Sequence, residues 1–184
     1  MTNPLPFGPA TIEIGEGADA LKLDGVNYFQ VDGGEFNAEP KLEDIKFQDY
    51  GDSPYDQRVS GYEGTLKVVV GQNDLLLMRK LFAYHADIVD GTTTNVIGVT
   101  DSKIGQSMRD KAVPVTIHPR EMGADKSLDI HVYKMAGTGA FNRTYEISQG
   151  KYEVELTMYM RDGADPTKDG NFYYIGETDP NAAA

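Results

Sequence analysis

Across residues 152–160 apolar and polar side chains alternate without a break. Tyr152, Val154, Leu156, Met158 and Met160 fall on one side, and Glu153, Glu155, Thr157 and Tyr159 on the other. Successive side chains of a strand point to opposite faces, so this stretch demands a strand with one buried and one wet face. The same period recurs along the chain. Residues 10–14 alternate Ile12 and Ile14 with Thr11 and Glu13. Residues 58–70 set Tyr62, Leu66, Val68 and Val70 against Glu63, Thr65 and Lys67, with Gly61 and Gly64 read as bulges. Residues 111–118 keep Val113, Val115 and Ile117 in phase, and Pro114 among them points to an edge position or a bulge. Residues 128–135 keep Leu128, Ile130 and Val132 in phase. Residues 26–31 are rich in aromatic and β-branched types, and Gly33-Gly34 reads as a turn or bulge in a longer hairpin. Residues 141–147 alternate weakly, and 172–175 form a last short strand after a Gly/Asp/Pro turn at 162–170.

One stretch departs from this period. Leu75, Met78, Leu81, Phe82 and His85 recur at helical spacing. Asn73 suits the N-cap, Asp74 the first turn, and Arg79 and Lys80 the later turns. The spacing predicts a helix over 73–84 that turns this stripe to the core. Pro4, Pro6 and Pro9 predict an extended arm over 1–9. In 38–57, Asp44, Asp49, Asp52 and Asp56 sit among Gly51, Ser53 and Pro54 with no apolar pattern, which reads as a long inter-strand loop. Residues 91–105, polar but for Val96 and Ile97, read mostly as loop, and 176–184 as a loose C-terminal arm. The sum is one domain over 1–184, without repeat or linker. It is mainly β: an antiparallel β-sandwich or partial barrel with one flanking α-helix.

Composition then narrows function. The net charge is −12, and the seventeen Lys and Arg residues are scattered, which argues against tight binding to phosphate backbones. There is no Cys, so disulfides, zinc–thiolate sites and thiol nucleophiles are excluded. The first ten residues lack a basic region followed by an apolar one, so no secretory signal is expected. The longest apolar run, 75–78, is too short to span a bilayer.

Chemistry is hard to place. His85, His118 and His131 lie on different elements at no metal-ligand spacing. No G-x-S-x-G surrounds Ser53, Ser60, Ser102, Ser107, Ser127 or Ser148. Gly137-Thr138-Gly139 lacks the third glycine of a dinucleotide site and reads as a hairpin turn. Asp162, Asp165 and Asp169 before Gly170 lack the ligand spacing and closing Glu of a calcium loop, and read as turn residues. Glu153 and Glu155 share a strand face about 7 Å apart. That spacing suits glycoside hydrolysis, but with no Trp platform a solvated stripe is the simpler account. Asn142-Arg143-Thr144 matches a glycosylation sequon but carries no weight without a signal peptide. The expectation is no catalytic residue, no cofactor, no metal and no enzyme activity.

The order of parts carries a resemblance. A Pro-rich arm leads into Gly8-Pro9-Ala10-Thr11-Ile12-Glu13-Ile14-Gly15, and Leu23-Asp24-Gly25-Val26 leads to a strand. A polar loop follows; Tyr62-Glu63-Gly64-Thr65-Leu66-Lys67-Val68 runs into a helix; and an amphipathic strand precedes a short tail. This order resembles the major tail-tube protein of long-tailed, siphophage-type bacteriophages. The resemblance lies in architecture, and residues 90–109 have no counterpart in it. It implies a virion tail protein made in the host cytoplasm, forming hexameric rings that stack into a hollow tube. The implied partners are further copies of itself, tail initiator, terminator and tape-measure proteins, and DNA passing through an acidic lumen, with no membrane. Under it, Asp32, Glu35, Glu63, Glu153 and Glu155 are candidates to face the lumen. Asp44, Asp49, Asp52 and Asp56 are candidates for ring stacking. The alternative is a β-sandwich binding module that recognises carbohydrate or a cell surface.

Overall fold

The computed structural model describes residues 8–72, 74–143 and 150–182. Most of the N-terminal arm, Asn73, most of the weakly alternating stretch 141–147, Thr144 of the sequon and Ser148 therefore lie outside the described residues. Ten strands and one α-helix are described. The strands are β1 (Ala10–Ile14), β2 (Leu21–Leu23), β3 (Gln30–Ile45), β4 (Asp56–Val70), β5 (His85–Val89), β6 (Val96–Asp101), β7 (Val113–Pro119), β8 (Ile130–Gly137), β9 (Tyr152–Tyr159) and β10 (Tyr173–Ile175); the helix is α1 (Leu75–Leu81). One antiparallel sheet runs β2-β1-β7-β8-β9-β4-β3, with β10 also paired to β8; β5 and β6 form a separate hairpin.

The large sheet curls so that its two ends meet. The Gln30 side-chain amide on β3 donates to the carbonyls of Ala10 (2.7 Å) and Leu23 (2.9 Å), tying β3 to β1 and β2. The result is a sandwich-like, partly closed barrel around one core. Tyr152, Val154, Leu156 and Met158 of β9 all point inward and are buried, as their alternation predicted, whereas Met160, expected in the same phase, lies past the strand end and is exposed. They meet Val70, Val68 and Leu66 of β4 in register. Ile12, Ile14, Leu21, Leu23, Val115, Ile117, Val132 and Met135 complete the interior.

The helix is shorter than predicted and turned differently. Its N-cap is Asp74, whose Oδ1 accepts from the Leu77 amide at 2.7 Å. Leu77 and Leu81 are its buried residues, while Leu75 and Met78 are only half-buried. The reason is contact at its C-terminal end. A Cβ on Gly137 of β8 would stand 1.6 Å from the Leu81 carbonyl oxygen, so only glycine lets helix backbone lie on the strand there. The Gly137 carbonyl accepts from the Ala83 amide at 3.0 Å, and Phe82 is driven into the core. Gly137 thus closes β8 against the helix instead of opening a hairpin turn.

Other expectations need correction. Only half of the stretch 38–57 is loop. β3 and β4 pair from Gln30↔Val70 out to Ile45↔Asp56, leaving 46–55 as the turn. Outside the barrel both faces of this hairpin are wet, so no buried face wrote alternation into its sequence. Val26 and Phe29 belong to a bend, not a strand: Asp24 Oδ1 accepts from the amides of Val26 (2.8 Å) and Asn27 (2.7 Å), an Asx turn. Residues 96–101, read as loop, form β6, closed onto β5 by Asp90, which accepts from Thr92 and Thr93. The C-terminal stretch 176–182 is pinned down. Asn181 donates to the Gly170 carbonyl at 2.8 Å, and Tyr133 donates to Asp179 at 2.5 Å. Of the two settings expected for Pro114, the bulge is the one found, and the strand that holds it is interior. Val115 faces Val132 but Val113 faces Met135, and that slip moves the inward phase of β8 from Val132 to Met135. Leu128, expected in phase with β8, lies before the strand and is exposed.

Candidate assembly surfaces and groove

Register decides where the acidic candidates go. On β4 the inward set is Gly64, Leu66, Val68 and Val70, so Glu63, Thr65, Lys67 and Val69 face out. Their partners on β3 are Glu39, Asn37, Glu35 and Asp32. Across the β9 edge, Glu155 stands opposite Lys67 and Glu153 opposite Val69. The sheet therefore gathers Asp32, Glu35, Glu63, Glu153 and Glu155 on one outer face and adds Glu39. Three lysines answer them. Lys151 reaches Asp32 at 3.1 Å, Lys41 reaches Glu63 at 2.7 Å, and Lys67 lies between Glu35 and Glu155. The Glu63 carboxylate keeps the Lys41 ammonium charged to higher pH than usual. The face stays net acidic, and Glu153 keeps no lysine opposite it.

Asp44, Asp49, Asp52 and Asp56 gather at the far end of the β3–β4 hairpin. Asp44 accepts from the Gln57 side chain at 2.9 Å and lies 3.7 Å from Lys46. Asp56 accepts from the Gln57 amide at 2.8 Å. Asp49 sits in a 3-10 turn over Gln48–Tyr50, and Asp52 follows Gly51, whose φ of 68° turns the chain. Phe47 and Tyr55 meet edge to face at 4.9 Å. From residue 39 to 63 nearly every side chain is exposed, including Leu42, Tyr50, Tyr55 and Val59. The outer half of the hairpin is a two-stranded ribbon with apolar groups in water.

Where the ribbon leaves the barrel, a groove of about 780 Å³ opens between β4 and the segment leading into β10. Tyr62, Phe172, Tyr173, Met160 and Val59 supply its apolar walls, and Lys168 with Asp169 its charged rim. Tyr62 and Phe172 lie 5.4 Å apart between ring centroids. The groove continues the inward face of β4 past the point where the core ends.

The three histidines are structural in setting. His118 Nδ1 lies 2.5 Å from Asp129 Oδ1, and His118 Nε2 lies 3.0 Å from the Gly123 carbonyl. This Asp–His pair was not foreseen, because nothing local in sequence links a strand end to a loop eleven residues on. It is no catalytic dyad: the nitrogen that would take a substrate proton is occupied by a backbone carbonyl. His85 lies among Phe82, Tyr84 and Phe141, and burial holds its pKa below the usual value, with Asp101 opposing. His131 stacks on Tyr174 at 4.6 Å and bonds Thr116 through Nδ1; burial lowers its pKa too.

Asp162 and Asp165 do turn and pairing work. Lys134 and Arg109 both reach Asp162, at 2.5 and 2.9 Å, and hold its carboxyl below the usual range. Asp165 accepts from the Thr167 amide and hydroxyl. Among the described residues no group of three or more His, Asp or Glu side chains is arranged to hold a metal, and no helix is long and apolar enough to cross a membrane. No protein-family model matches the chain and no curated protein matches it.

Proposed function

We propose that this chain is a structural subunit that joins copies of itself into rings, stacked as a hollow tube of the phage-tail type that conducts DNA. The observation that carries the reading is the β3–β4 ribbon. A two-stranded hairpin in water is marginally stable at best, and this one also exposes Leu42, Tyr50, Tyr55 and Val59. Such a ribbon gains most when a neighbouring subunit covers it. β3 also ends the large sheet, so its outer edge offers unpaired backbone groups to another copy. A contact between two different surfaces of identical subunits closes into a ring or runs on as a filament. The role of the acidic face follows. Set on the lumen wall, Asp32, Glu35, Glu63, Glu153 and Glu155 repel phosphates, so DNA slides without sticking.

Negative-stain electron microscopy of the concentrated protein tests the reading, beside a variant whose turn 46–55 is replaced by Asn-Gly. Rings or tubes of uniform diameter from the parent chain, and monomers from the shortened one, are the expected result. A parent chain that stays monomeric at millimolar concentration across a range of salt refutes it.

A further inference from the structure

The groove at the root of the ribbon supports an inference independent of tube assembly. Its rim is built, not incidental. The segment 165–171 is fixed by two asparagines. Asn171 accepts from the Asp165 amide at 3.0 Å and donates to the carbonyls of Asp165 and Lys168, both at 2.8 Å. Asn181 donates to the carbonyls of Asp169 and Gly170, and Arg161 in turn donates to Asn181 at 3.0 Å. With the backbone held, the Lys168 and Asp169 side chains project exposed at the rim. Among the described residues neither side chain forms a close ion pair or a hydrogen bond; the Lys168 charge acts only at longer range, on the Asp165 carboxyl.

The chemistry of this lining selects a ligand class. An ammonium only donates hydrogen bonds and a carboxylate only accepts them. One of each cancels in charge: an anionic ligand meets Asp169 and a cationic one meets Lys168. A hydroxyl both donates and accepts, so a neutral ligand rich in hydroxyls satisfies both heads. Behind the rim, Tyr62, Phe172 and Tyr173 present ring surface that suits an apolar C–H face. Phe172 braces Tyr62, and Phe36 braces Tyr173 edge-on at 6.0 Å, so the wall keeps its shape without ligand. The groove's volume, about 780 Å³, is in the range of small-ligand sites. We propose that this groove binds a neutral saccharide unit, its apolar face on the Tyr62–Phe172–Tyr173 wall and its hydroxyls on Lys168 and Asp169. The site lies outside the acidic face and does not need the ribbon's tip.

Saturation-transfer NMR on the dilute full chain, with the methyl glycosides of glucose, galactose, mannose and N-acetylglucosamine, is the test. Transfer to the ring protons of at least one glycoside is expected, and its loss in Tyr62→Ala. The exposed rim variants Lys168→Ala and Asp169→Ala should keep the parent melting temperature and each weaken binding roughly tenfold, as for one lost hydrogen bond to a charged group. No transfer from any glycoside overturns the proposal, as does binding that survives both rim variants. Sialic acid bound as well as the neutral sugars overturns the neutral class. Absent transfer with Tyr62→Ala blocking assembly makes the groove a protein seat instead, and likewise overturns it.

Discussion

Gly137→Ala is the substitution that the fold tolerates least for its size. The added methyl group would lie 1.6 Å from the Leu81 carbonyl oxygen and 2.6 Å from its carbon. Both are backbone atoms at the end of α1, so no side chain can swing aside. The helix end must retreat by more than an ångström, or β8 must bend. Either movement loosens Leu77, Leu81 and Phe82, which are fully buried over the barrel. It also breaks the bond from the Ala83 amide to the Gly137 carbonyl, 3.0 Å long. Overpacking of this kind costs about 1–3 kcal/mol, and the lost bond about 1 more. Alanine returns about 0.4–1 kcal/mol by restricting the unfolded chain. The balance is a loss of about 1–3.5 kcal/mol, centred on about 2 kcal/mol. In urea, with a slope of about 2 kcal/mol per molar, the midpoint should fall by roughly 1 M. Gly61→Ala is the control, because a Cβ there has nothing within 4 Å. A Gly137→Ala midpoint no lower than that of Gly61→Ala would refute the reasoning.

Asp74→Ala removes the α1 cap and the acceptor of the Tyr28 hydroxyl, and should cost about 1–2 kcal/mol by urea denaturation, whereas Asp74→Asn should cost less. His85 and His131 both titrate below their ordinary value of 6.5 when folded, so the unfolded chain binds protons first; stability should be full above pH 6.5 and fall as pH drops through the lower folded values, and His131→Gln should flatten that fall. Tyr28 and Tyr133 are pushed up to about 12, chiefly by burial, so the stability they contribute is present below pH 10 and lost as pH rises toward 12, which alkaline melts will read. Copies that each carry −12 repel one another, so under the proposed assembly light scattering should show faster growth of tubes as salt screens them; growth indifferent to ionic strength removes charge repulsion as the brake. If the proposed tubes form, exchanging Glu35, Glu63, Glu153 and Glu155 for Gln should leave them intact in micrographs yet make them retain DNA at low salt, and variant tubes that release DNA like the parent deny those residues the lumen.

The amino-acid sequence by itself determined the strands that bury one face. β9, β1 and the inner half of β4 are legible because a core on one side and water on the other impose a period of two on Leu, Val and Ile. Their polar faces were legible for the same reason, which is why Glu63, Glu153 and Glu155 stood out as one class of residue. Tertiary structure decided the rest. The ribbon pairs through backbone bonds that nearly any residue but proline can make, and from 39 to 57, with both faces wet, it carries no period to read. The phase of α1 was set by Asp74 at one end and by the bare backbone of Gly137 at the other, a contact 56 residues distant from Leu81 that helical spacing cannot anticipate. The groove and the Asp129–His118 pair each join side chains from separate elements. Only the register and curl of the sheet bring them within reach, because the forces that align strands act on backbone and core, not on the groups that end up at the surface.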